Sequence, residues 1–99
     1  MGEFEQLVLL ALLRLDNDAY GMEVREEIEK RTGREISYGA VYTTLDRLEQ
    51  KRYVAHWMGE ATSERGGRAK KYFRVLPEGR EALRATQHAL TVMWEGVRL

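Results

Sequence analysis

Ten consecutive residues concentrate the chemistry of this chain: Arg65-Gly66-Gly67-Arg68-Ala69-Lys70-Lys71-Tyr72-Phe73-Arg74. Five of their side chains are positive and none is negative, although the sixteen basic and sixteen acidic residues of the whole chain cancel. A Gly-Gly tip between two arginines, leading into a basic and aromatic run, has the composition of a loop aimed at phosphate oxygens. The charge is also segregated along the chain. Residues 1–33 carry four basic and eight acidic side chains, residues 34–74 nine and five, and residues 75–99 three of each. Charges farther apart than a Debye length of about 8–10 Å are screened, so a neutral total conceals a cationic middle section.

Other chemistries find little support. The absence of cysteine excludes disulfides, thiolate metal sites and cysteine nucleophiles, and it suits a reducing cytoplasm. His56 and His88 fall on different elements and have no partners at ligand or catalytic spacing. Gly66-Gly67 is not followed by Gly-Lys-Ser/Thr, so the phosphate-cradling loop of nucleotide-binding proteins is not indicated. Neither an enzyme nor a cofactor is expected. The longest apolar run, Leu7 to Leu13, is far short of the roughly 18 residues of a membrane span, and Gly2-Glu3-Phe4-Glu5 lacks the basic start of a signal peptide. A cytoplasmic protein without membrane contact is expected. With 43% hydrophobic and 32% charged residues in 99, the chain should form one globular domain with a modest core, which a partner subunit would supplement.

The elements that must position the basic run follow from periodicity. Phe4, Leu7, Val8, Ala11 and Leu15 predict a first helix over about 4–15, broken by Asp16-Asn17-Asp18. A second spans roughly 21–31, with four glutamates early to middle, Lys30 and Arg31 in the last turn and Gly33 as its stop. The simplest reading of those glutamates is a solvated acidic face. Ser37 is placed to cap a third helix, whose stripe is Val41, Leu45 and Leu48. Its opposite face holds Gly39, Thr43, Asp46, Arg47 and Gln50, with Tyr38, Tyr42 and Thr44 on the flanks. Small and hydroxyl-bearing residues at an N-terminal helix face permit close approach to a groove and hydrogen bonds to phosphates or bases. Tyr38 and Tyr42 either join that face or pack half-buried.

Residues 53–58 and 71–76 are rich in strand formers, so the segment 59–70 is a protruding hairpin loop. Trp57 is expected to pack within the fold. Pro77 opens a last helix reaching about Val97, in which Leu83, Leu90 and Val97 recur every seven residues, Met93 falls between and Trp94 widens the stripe. The spacing suits a seam between two subunits. The fold class is therefore mostly α with a small β-hairpin: a winged helix-turn-helix over 1–76 and a C-terminal dimerisation helix over 77–99 packed on the same domain.

Four stretches together resemble the PadR family of bacterial transcriptional regulators: Tyr20-Gly21, Ser37 to Glu49, Glu64 to Phe73, and Pro77-Glu78-Gly79. The brevity after Pro77 resembles its short subgroup, with a single C-terminal helix. The resemblance implies a homodimeric repressor that binds a double-stranded DNA operator, and short members hold aromatic or drug-like molecules between subunits. The expected DNA contacts are Ser37, Tyr38, Gly39, Tyr42, Thr43, Thr44, Arg47, Arg65, Gly66, Gly67, Arg68, Lys70 and Lys71. The expected dimer or ligand interface is Phe4, Leu83, Leu90, Met93, Trp94 and Val97. Two positions depart from the family pattern: Arg52 stands where a glycine is common, and Leu76 replaces a threonine that would cap the last helix. A winged helix devoted to protein–protein contact is the alternative.

Overall fold

The computed structural model describes residues 1–59 and 69–99. In chain order the elements are α1 (Glu3–Arg14), β1 (Ala19–Tyr20), α2 (Gly21–Thr32), α3 (Tyr38–Gln50), β2 (Val54–Met58), β3 (Lys71–Val75) and α4 (Pro77–Trp94). The strands form one antiparallel sheet in the order β1-β3-β2. Val8, Leu9 and Leu12 of α1, Val24 and Ile28 of α2, and Val41, Leu45 and Leu48 of α3 meet Val54, Phe73 and Val75 from the sheet in a single core. These are the apolar stripes at helical spacing and the inward residues of alternating strands, so periodicity accounts for the interior.

β1 is too short to show a period, and the sequence does not reveal it. It exists because of the turn before it. Asp16 and Asn17 take the left-handed conformation, with φ of 61° and 58°, which Asn and Asp tolerate better than other side chains. Asn17 then extends the strand pairing with its side chain: its amide donates to the Val75 carbonyl at 3.2 Å, and its Oδ1 accepts from the Val75 N–H at 2.6 Å. That amide supplies the ladder bonds beyond Ala19↔Phe73 and Tyr20↔Tyr72.

The two departures from the family pattern have local answers. After α3, the Tyr53 N–H reaches the Leu48 carbonyl and the Arg52 N–H the Glu49 carbonyl, closing a Schellman motif with Arg52 at φ 63°. An arginine thus occupies the left-handed position that glycine adopts without steric cost. Leu76 precedes α4 without a side-chain cap, and Pro77, which has no N–H to leave unpaired, takes the first helical position. A methyl at Gly79 would collide with the Tyr53 carbonyl oxygen, so the glycine permits α4 to lie against the α3–β2 turn.

α4 ends at Trp94, short of Val97. Glu95 leaves the helical region at ψ 124° and Gly96 turns left-handed at φ 77°, so the seven-residue apolar repeat outlasts the helix. Among the described residues, no helix is long and apolar enough to cross a membrane.

Candidate nucleic-acid interface

α3 is held at both ends by side chains from the helices beneath it. At its entry, Arg25 Nε of α2 donates to the Ile36 carbonyl at 2.8 Å, and Glu29 of α2 accepts the Ile36 N–H at 2.9 Å. Arg34 in the same connection forms a two-pronged ion pair with Glu3 of α1, at 2.8 and 3.2 Å, which lowers the Glu3 pKa. The acidic α2 is therefore more than a solvated face. Ser37 then caps α3, its hydroxyl accepting from the Ala40 N–H at 3.1 Å. At its exit, Lys51 donates to Glu5 of α1 at 2.9 Å. Glu5 is buried, and the Lys51 ammonium holds its carboxyl below the ordinary value against the opposing effect of desolvation.

The outward face of α3 carries Tyr38, Gly39, Ala40, Thr43, Asp46, Arg47 and Gln50, all exposed. Ser37 is exposed at the cap. Thr44 is not on this face: it is only 6% exposed and belongs to the interior. At about 100° per residue it lies about 60° from Val41, on the buried side. A methyl at Gly39 would meet nothing within 4 Å, so the fold does not require glycine there.

Tyr42 is half-buried. The space where a Gly21 side chain would begin is 2.7 Å from its ring, so glycine at the start of α2 lets α3 settle against it. The Tyr38 hydroxyl donates to the Tyr42 hydroxyl at 3.0 Å, with the rings 4.7 Å apart. Burial, and next the bond from Tyr38, push the Tyr42 phenol up to about 12, so it is neutral at any physiological pH. Of the two tyrosines, Tyr38 is the more exposed.

The two lysines at the base of the wing separate. Lys71 lies on the core-facing side of β3, its ammonium 5.4 Å from the centre of the Phe73 ring. His56 packs on the same ring at 6.1 Å and contacts Glu49 of α3. Lys70 is exposed and sits 4.3 Å over the ring of Tyr20, the residue that precedes Gly21. Arg65, Gly66, Gly67 and Arg68 lie outside the described residues. Trp57 is not in the core: it is 42% exposed on the outer sheet face, stacked on Tyr72, with its indole N–H on Asp18 at 2.9 Å. Edge-strand position and period-two alternation turn it outward.

The residues expected at a dimer or ligand interface fall in different places on the single chain. An apolar groove between α1 and α4 is lined by Gln6, Leu10, Leu13, Arg80, Leu83, Arg84, Gln87, Leu90, Thr91 and Trp94. Leu83, Leu90 and Trp94, named for the dimer or ligand interface, line this groove together with Leu10 and Leu13, which the sequence did not single out. Phe4 lines a separate cleft with Ile36, Ser37 and Ala40, on the α3 side of α1. Met93, 74% exposed, and Val97, beyond the helix, lie outside the groove lining.

Three core helices with a small sheet whose last two strands form a hairpin, the third helix capped and outward-facing, define the winged-helix class. The sequence model of the transcriptional regulator PadR-like family matches residues 9–85, and the chain belongs to that family, one of transcriptional regulators and not of enzymes. The transcriptional regulator Rv3488 of Mycobacterium tuberculosis is 36% identical over 96 residues, spanning 91% of this chain and 82% of its own. A PadR family transcription regulator from Clostridium difficile shares the fold with a TM-score of 0.77 at 21% identity, over 95% of this chain and 93% of its own. A winged-helix DNA-binding protein from STIV shares it with a TM-score of 0.71 at 19% identity, over 91% and 89%.

Proposed function

We propose that this chain is a homodimeric, sequence-specific DNA-binding regulator: a cytoplasmic repressor released by an aromatic or drug-like molecule held between subunits. The observation that carries the DNA reading is Gly39. Glycine lowers helix stability relative to alanine, by up to about 0.5–1 kcal/mol in mid-helix and less in a first turn, and here no packing partner requires it. Its place on the exposed first turn, among Tyr38, Ala40 and Thr43, suits a surface kept low for close approach by a ligand. Thr43 and Arg47 would contribute to sequence preference within a major groove, while Tyr38 and Lys70 would meet the flanking phosphates. Arg65 and Arg68 would extend those phosphate contacts along the wing.

Dimerisation is supported by α4. Leu90, Val92, Met93 and Trp94 are 46–74% exposed, a run of large apolar side chains that only a second surface would cover. Residues 1–76 then form the DNA-reading unit and 77–99 the dimerisation helix. Two copies of α3 would occupy successive major grooves about 34 Å apart. A small molecule beside Trp94, Leu90 and Leu13 would act by favouring one intersubunit angle, and its differential affinity for the two arrangements supplies the energy.

Selection of bound duplexes from a random DNA pool tests the reading. The expected product is a pair of half-sites with roughly palindromic symmetry, centred about 10–10.5 base pairs apart. Failure to enrich any sequence, with no salt-dependent affinity for DNA, would instead indicate a winged helix devoted to protein–protein contact.

A further inference from the structure

The outer face of the sheet carries a continuous row of aromatic rings, one from each strand. Tyr20 of β1 pairs with Tyr72 of β3, which pairs with Trp57 of β2, so strand register places all three side by side. Tyr72 is the middle member. Its ring meets Tyr20 edge-on at 5.6 Å and 83°, and Trp57 in a stack at 4.7 Å and 16°. Both ends are fastened. Trp57 donates its indole N–H to Asp18 at 2.9 Å, and the Lys70 ammonium rests over Tyr20 at 4.3 Å. The hairpin itself closes on the same ring. The Gly59 N–H donates to the Lys70 carbonyl at 2.8 Å, and a methyl at Gly59 would fall 2.6 Å from Tyr72.

These contacts govern where Lys70 can be. A lysine on an open hairpin base samples many rotamers, and its charge is spread over the volume they sweep. Here its backbone is closed against Tyr72 and its ammonium is gathered over Tyr20. Gly21, next in the chain, lies under Tyr42 of α3. We propose that Tyr72 is a positioning residue for DNA binding: through Tyr20 and Trp57 it fixes the base of the wing so that the Lys70 ammonium meets a backbone phosphate beside α3. This rests on the DNA-binding reading above and deepens it. The row turns its rings away from the core, whose own aromatic member is Phe73 on the opposite face of β3. Truncating it therefore acts on the wing more than on the interior.

The test is a double-mutant cycle read as salt dependence of binding to a duplex of arbitrary sequence. One phosphate contact contributes about 0.9 to the slope of log K against log salt. Lys70→Ala and Tyr72→Ala should each reduce the slope by about that amount, and the double variant by no more than either alone. Tyr72→Phe, which keeps the ring, should retain the wild-type slope. Trp57→Ala, at an exposed edge-strand position, should behave like Tyr72→Ala and decides the matter if the latter does not fold. A wild-type slope in the folded Ala variants, or additive losses in the double variant, would overturn the proposal. An absence of salt-dependent binding by the wild-type protein would instead remove the DNA reading itself.

Discussion

α3 and α4 are both amphipathic, yet only α3 is finished by its own chain. α3 has its stripe buried, its entry clamped by Arg25, Glu29 and Ser37, and its exit by a Schellman turn and the Lys51–Glu5 ion pair. What it leaves outside is small or polar apart from the Tyr38 ring. α4 packs through Gly79 and Leu83 and then runs on with Leu90, Met93 and Trp94 uncovered. The contrast separates two kinds of exposure. A polar face on a rigidly held helix is ready to use as it stands, whereas an apolar face on a half-packed helix is complete only when something covers it.

Charging the uncovered face should break the contrast most severely. Leu90→Glu with Trp94→Glu is expected to yield a folded monomer by circular dichroism and sedimentation. Loss of the second DNA-reading unit should cost about 10²- to 10⁴-fold in affinity for a two-half-site duplex. Next is the fit of α3 on α2. Gly21→Ala places a methyl against the Tyr42 ring, and a loss of about 1–3 kcal/mol is expected in urea unfolding. Gly39→Ala sharpens the distinction between fold and use, because its two effects have opposite signs. Stability should rise by at most about 0.5–1 kcal/mol, the mid-helix value, while DNA affinity falls. A rise in both would remove Gly39 from the interface.

The smallest effect concerns the clamp at the end of α3. Glu5 has its pKa lowered by Lys51, so its charged form is favoured by folding. That stabilisation is present above the unfolded-state pKa and is lost as pH falls through the lowered one. Glu5→Gln should therefore flatten the acid limb of stability against pH below about pH 5, leaving the neutral range parallel to wild type.

The order of helices and the hairpin was legible because the signals were redundant. Ser37 and the stripe Val41, Leu45 and Leu48 mark the same helix from two directions, and Pro77 marks the next. What escaped was tertiary in origin. Two residues cannot display a strand period, so β1 is visible only through the Asn17–Val75 bonds. Thr44 has the chemistry of a groove contact but shares an arc with Val41 and Leu48. Val97 fits the seven-residue repeat, yet the backbone turns at Gly96 before reaching it. Trp57 has the composition of a core residue, and the edge of a sheet gives it another place. Tyr20-Gly21 carried the family resemblance, but its physical meaning required the ring of Tyr42 above it.

The central claim is that α4 holds two α3 helices at one fixed separation on DNA. It is tested most directly by inserting five base pairs between the half-sites of a selected duplex and measuring affinity at constant salt. Half a helical turn puts the second half-site on the far side of the duplex, so binding should fall to near the non-specific level. Undiminished affinity would contradict the account.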